Sequence, residues 1–149
     1  MSNTRVIPFS TTLLVRDSCL CLHAQRAARA LARRFDNALK PLGMTNGQFS
    51  LLMSLNRPEP PPMGPVAHIL AMDRTTLTAA LKPLEKKGLV SIEPDPRDKR
   101  GKRLHLTEAG MQLLALAFPI WERVHEEIEQ GINSGDPSRL RQDLLDISL

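Results

Sequence analysis

The sequence predicts a mainly α-helical fold with one small β-hairpin wing. Three observations carry that prediction. Apolar residues recur every three or four positions near both ends of the chain, which is the signature of amphipathic helices. The middle of the chain holds two short helical stretches parted by a tight turn. Two short alternating segments, 89–93 and 103–106, bracket a polar, basic, turn-rich stretch, the pattern of a hairpin.

The 149 residues suit one domain or a compact pair of lobes. Hydrophobic residues make up 42% of them, aromatics only 3%, and Tyr is absent. The core must therefore come from Leu, Ala, Val, Ile and Met, a set that favours helix. No run of about 18 apolar residues occurs, so no membrane span is expected. The N-terminus lacks the pattern of a secretory leader. Cys19 and Cys21 lie two apart and would point away from each other on a helix, so no disulfide between them is expected. Free thiols suit the cytoplasm.

Charge is unevenly spread. Residues 1–72 carry 8 basic and 3 acidic side chains, residues 73–105 carry 9 and 5, and residues 106–149 carry 3 and 8. A basic centre beside an acidic tail fits a protein with one nucleic-acid face.

Residues 1–12 show no periodicity and read as a loose arm. From about Leu13 to Leu42, the positions Leu20, Ala24, Ala27, Leu31, Phe35, Ala38 and Leu42 step by three and four, predicting one long helix closed by Pro41 and Gly43. Thr45 and Gln48 form a capping box for a short helix through Leu55. Four prolines between Asn56 and Pro62 exclude helix there and predict a stiff connector. A short helix follows over about Pro65 to Leu70. Asp73 caps the next, which runs to Lys87 and stops at Gly88. Pro83 inside it predicts a bend or a local break. Thr107 opens a helix on which Met111, Leu114, Phe118, Trp121, His125, Ile128 and Ile132 form a near-heptad seam, with a kink expected at Pro119. Ser134 and Gly135 end it. Asp136 and Pro137 start a last helix with Leu140, Leu144 and Ile147 on its apolar face.

Short helix, tight turn, second helix and basic hairpin, in that order, make a winged helix-turn-helix. The second helix begins with Arg74, Thr75, Thr76 and Thr78, with Lys82 further along it. Hydroxyls, methyls and an Arg fork at a helix start can contact base edges and phosphates in the major groove. Read alone, this is also how an ordinary capped surface helix looks. The hairpin tip gathers Arg97, Lys99, Arg100, Lys102 and Arg103 around Asp95 and Asp98. Such a tip can reach the minor groove or its phosphates, although a solvated charge run would have the same composition. Asp98 lies two residues from Arg100 and could hold its guanidinium in one pose.

Asp95-x-Arg97-Asp98-x-Arg100, followed by Leu104-x-Leu106-Thr107-x-x-Gly110, resembles the wing signature of the MarR family of transcription regulators. Residues 73–78 and 84–90 resemble that family's recognition helix and its exit. The resemblance implies that Arg100 enters the minor groove with Asp98 orienting it, that Thr75, Thr76 and Thr78 face the major groove, and that Arg74 contacts DNA. It implies a homodimer whose terminal helices interlock, acting on double-stranded DNA at a pseudo-palindromic operator. The expected organisation is an arm over 1–12, a dimerisation helix over 13–44, a DNA-binding domain over 45–107 and C-terminal dimerisation helices over 108–149. The expected function is a sequence-specific regulator, most simply a repressor.

Many members of that family bind a small aromatic or phenolic ligand. The matching candidates are His23, Arg26, Phe49, Met53, Phe118 and Trp121, although apolar residues on helical faces are usually core. Cys21 lies where the peroxide-sensing branch keeps its reactive thiol, which makes a thiol-based sensor an alternative. The chain has no Tyr to activate that thiol and no late Cys to resolve its oxidised form. A winged helix used for protein contacts is a third reading, and the basic wing argues against it. Cys19 and His23, at i and i+4, have no companion ligands nearby, so no metal is expected. No phosphate-binding glycine loop, nucleophile elbow or distinctive carboxylate pair occurs, so neither a cofactor nor an enzyme activity is expected.

Overall fold

A computed structural model describes residues 6–133 and 135–148. Its contacts divide the chain into two units, Met1–Arg34 and Phe35–Leu149. Among the described residues no helix is long and apolar enough to cross a membrane.

In the N-terminal unit, α1 covers Phe9–Ser18 and is followed by α2, Leu20–Leu39, which runs on into the second unit. The periodicity predicts one helix from about Leu13. Helix instead starts at Phe9, inside the expected arm, and breaks once at Cys19. Pro8, at φ −61° and ψ 147°, fixes the extended residue before α1. Cys19 takes ψ 110°, and its Sγ accepts the Leu22 N–H at 3.4 Å. The thiol thus does the work of a capping oxygen, satisfying one N–H that a helix start leaves open. The first five residues of the expected arm lie outside the described residues.

The second unit opens with the last turn of α2 and a 3-10 turn, Lys40–Leu42, ended by Gly43 at φ 66°. Helix α3, Asn46–Leu55, has the capping box expected of Thr45 and Gln48. Asp36 fastens α2 to it, accepting the Asn46 backbone N–H at 2.7 Å and its side-chain amide at 2.8 Å. Helix α4 is Met63–Ile69 and α5 is Arg74–Lys86. Strands β1, Val90–Pro94, and β2, Lys102–Leu106, pair antiparallel with Ile92 opposite Leu104. Helix α6 is Glu108–Gln130 and α7 is Pro137–Ile147. Helix α6 ends before the stop predicted at Ser134 and Gly135: Gly131 is its C-cap and Ile132, placed on its seam by periodicity, lies beyond it, while Ser134 itself is outside the described residues. Neither Pro83 nor Pro119 ends its helix.

Leu39, Leu51, Leu52, Val66, Leu77, Leu81, Leu84 and Leu104 are fully buried. The core therefore joins the end of α2 with α3, α4, α5 and β2. Leu77, Leu81 and Leu84 are the inner face of α5, and their burial leaves the opposite face of that helix outward.

The proline connector does more than span a gap. Proline lacks an N–H but keeps its carbonyl. Pro61 accepts the Leu104 N–H at 2.9 Å, and Pro60 accepts the Arg103 guanidinium at 3.1 Å. Pro62 forms a bridge with Arg103. The connector thus lies along β2 and braces the hairpin from its second edge.

Candidate nucleic-acid interface

Two elements present the polar groups singled out in the sequence. The first is the start of α5. Asp73 accepts the Thr76 N–H at 2.7 Å, which favours its charged form and holds its carboxyl below the ordinary range. Arg74, Thr75, Thr76, Thr78 and Lys82 are all exposed. Thr75, Thr78 and Lys82, at i, i+3 and i+7, share one stripe. Thr78 Oγ1 donates to the Arg74 carbonyl at 2.8 Å. The residue before this helix is reached through a tight turn in which Ala71 sits at φ 51°, left-handed backbone that costs an L-residue energy.

The second element is the wing. Asp95 N–H donates to the Gly101 carbonyl at 2.9 Å and closes the hairpin. The Asp95 carboxylate then accepts the Arg97 N–H at 2.9 Å, and the Asp98 carboxylate accepts the Arg100 N–H at 3.0 Å. Both aspartates therefore shape backbone. Asp98 holds the main chain of Arg100 rather than its guanidinium, which differs from the ion pair expected from their spacing; the reason is that a carboxylate two residues back reaches the N–H first. Arg97, Lys99, Arg100 and Lys102 remain exposed.

Arg103 is different. Its guanidinium pairs with Asp95 at 3.0 Å while also donating to Pro60, and it is only 26% exposed. It clamps the base of the wing and is not part of the basic tip. The Arg97 N–H, with the nearby Arg103, keeps the Asp95 carboxyl below its ordinary range.

The wing is fixed to the body at one further point. Thr107 Oγ1 donates to the Gly88 carbonyl at 2.7 Å and accepts the Gly110 N–H at 3.1 Å, so one hydroxyl joins the exit of α5 to the start of α6. A Cβ on Gly110 would overlap the Leu89 carbonyl oxygen. That is why glycine stands there.

The profile of the MarR family matches residues 44–102, which span α3 to the start of β2. A transcriptional regulator of M. tuberculosis, MosR, solved in complex with DNA, is 36% identical, with a TM-score of 0.79 over 87% of this chain and 93% of that one. This chain belongs to the MarR family. Its fold is the family's winged helix-turn-helix, with α4 and α5 as the helix pair and β1–β2 as the wing. The transcriptional repressor CouR bound to a 23-mer DNA duplex is 26% identical, with a TM-score of 0.73 over 89% of this chain and 92% of that one. A mutant MarR of E. coli complexed with operator DNA is 24% identical, with a TM-score of 0.80, and supports the fold alone.

Of the ligand candidates in this MarR-family chain, Phe49, Met53, Phe118 and Trp121 line one cavity of about 550 Å³ together with Ser50, Ser54, Ile69 and Leu70. Trp121 stacks between Phe49, at 6.2 Å, and His125, at 4.7 Å, with Phe118 at 5.9 Å. Ile69 and Leu70 belong to the end of α4, where sequence periodicity points only to core. His23 and Arg26 line a separate concavity on α2. Cys21 is exposed, and its Sγ accepts the Gln25 side-chain amide at 3.3 Å. Among the described residues no group of three or more His, Cys, Asp or Glu is placed to hold a metal.

Proposed function

We propose that the chain is a sequence-specific DNA-binding repressor that acts as a homodimer. The observation that carries this reading is the joint exposure of the α5 start and the wing tip on one braced unit, with Arg97, Lys99, Arg100 and Lys102 all exposed. In this reading Arg74, Thr75, Thr76, Thr78 and Lys82 face the major groove, while Arg97, Arg100 and Lys102 reach the minor groove and its phosphates, and Asp98 sets the backbone that aims Arg100. The DNA-bound state of MosR and CouR supports it.

The terminal helices support the dimer. Helices α1 and α7 bury no residue, and Phe9, Leu14, Leu140, Leu144, Leu145 and Ile147 are exposed. Helices this short are marginal in water unless an apolar face packs. A second copy supplies that packing, and its two-fold axis sets two half-sites about one helical turn apart. The cavity beside Trp121 suits a small aromatic effector. Its lining holds no ionised side chain, so the effector's buried part is uncharged, since a buried charge needs a partner.

Genome-wide footprinting with the purified protein, at stated salt, tests the reading. The expected result is a small set of protected sites, each with two-fold symmetry. Protection without any shared symmetric sequence would remove both the specificity and the dimer.

A further inference from the structure

We infer that Arg103 is a positioning residue for DNA binding: it aims the wing tip, and with it Arg100, by tying the tip to the proline connector, and it does so without touching DNA. This rests on the DNA-binding reading above.

A two-stranded hairpin is at best marginally stable by itself. The paired strands end at Pro94 and Lys102, so residues 95–101 project beyond the ladder. Within the tip the order is local. The Asp98 N–H donates to the Asp95 carbonyl at 3.3 Å, and the Gly101 N–H to the Asp98 carbonyl at 3.0 Å. These bonds, with the two aspartate carboxylates on the Arg97 and Arg100 N–H groups, give the tip its shape. They run from tip to tip and leave its direction open. Direction is set where the tip leaves the strands, at Asp95.

Asp95 is held from outside the tip. Arg103 Nε pairs with its Oδ2 at 3.0 Å, and Arg103 Nη1 donates to the Pro60 carbonyl at 3.1 Å. One guanidinium thus joins the first residue of the tip to the connector. The connector is a firm anchor. Its prolines have fixed φ, Pro61 is buried, and the Pro61 carbonyl takes the Leu104 N–H. The Asp95 side chain is 9% exposed, so water screens this pair less than a loose surface pair. The charge of Arg103 is also answered by the protein: Glu59, Glu93 and Asp95 line one recess with it, beside Arg97 and His105.

The two bonds need Arg. Its planar fork meets acceptors on two elements at once, whereas the Lys ammonium is a point charge on a flexible stem. Without the double hold the tip swings about its base. Arg100 must then be ordered when DNA binds, and ordering costs affinity.

Operator affinity of the full chain for one footprinted duplex, read by fluorescence anisotropy across a salt series, tests the role. Arg103→Lys keeps the charge in the recess and loses the double hold. It is expected to bind about three- to tenfold more weakly than the wild type, the cost of ordering one long side chain on binding. Its salt slope is expected to match the wild type, because no phosphate contact is lost. In an Arg100→Ala background, Arg103→Lys is expected to cost nothing further, since the residue it aims is gone. Amide hydrogen exchange is expected to quicken from Arg97 to Gly101 and to stay unchanged along α5, which separates a freed tip from a loosened domain. Equal quickening along α5 would make Arg103 a brace of the whole unit and overturn the positioning role. A shallower salt slope with additive losses would make Arg103 a phosphate contact and overturn it too. Wild-type affinity in Arg103→Lys, beside a loss in Arg100→Ala, would overturn this inference and leave the DNA-binding reading standing. Failure of the wild type to bind any duplex specifically would remove both.

Discussion

At the scale of single residues, side-chain chemistry was legible and side-chain aim was not. Asp98 and Arg100 announce a wing, but their spacing could not say whether the carboxylate takes the guanidinium or the N–H; the turn decides it. Arg103 reads as one more tip cation, and only the path of the proline connector turns it inward to Pro60 and Asp95. Arg103→Ala is expected to destabilise the second unit by about 1–3 kcal/mol, the scale of a lost charged hydrogen bond, read from denaturant midpoints. Gly110→Ala is expected to cost about 1–3 kcal/mol or more, because its methyl group would enter the space of the Leu89 carbonyl. A melting temperature unchanged by Gly110→Ala would mean that α6 can shift away from the wing freely.

At the scale of elements, caps made the boundaries readable. Thr45, Asp73, Thr107 and Asp136 each stand where the sequence put a helix start, and each side chain accepts the N–H expected of it. The break at Cys19 is not legible in the sequence, because a thiol is not an ordinary helix cap. Three carboxylates, Asp36, Asp73 and Asp95, have folded pKa values below the ordinary 3.8, chiefly through backbone N–H donors. A lowered folded pKa contributes stability that is full above the ordinary value and is lost as pH falls through the folded one. Thermal stability should therefore owe nothing to these groups' titration above about pH 5 and should fall below pH 3.8. Asp73→Asn, which still caps but cannot ionise, should flatten part of that fall; an unchanged acid limb would contradict the role given to Asp73. Ala71→Gly relieves a left-handed φ of 51° in the turn before α5. It should raise stability by about 0.5–1 kcal/mol, since the strain removed exceeds the entropy that glycine adds.

At the scale of the whole molecule, the helix order and hairpin sufficed for the winged helix-turn-helix, because periodicity and turn chemistry are local. The cavity beside Trp121 was half legible: its aromatic residues stand out, but Ile69 and Leu70 join them only through the packing of α4 against α3. In the proposed homodimer a second chain covers the apolar faces of α1 and α7, and no single-chain pattern encodes that contact. The basic wing and α5 should make operator affinity fall steeply with salt, because each phosphate contact releases a condensed counterion.

The most direct test of the central claim is the affinity of wild-type protein and Arg100→Ala for one footprinted operator, measured by fluorescence anisotropy across a salt series. The expected result is a loss of about 1–3 kcal/mol in Arg100→Ala with the fold intact, together with a shallower salt slope. Equal affinity of the two proteins at every salt concentration would contradict the reading of the wing as a DNA-contacting element.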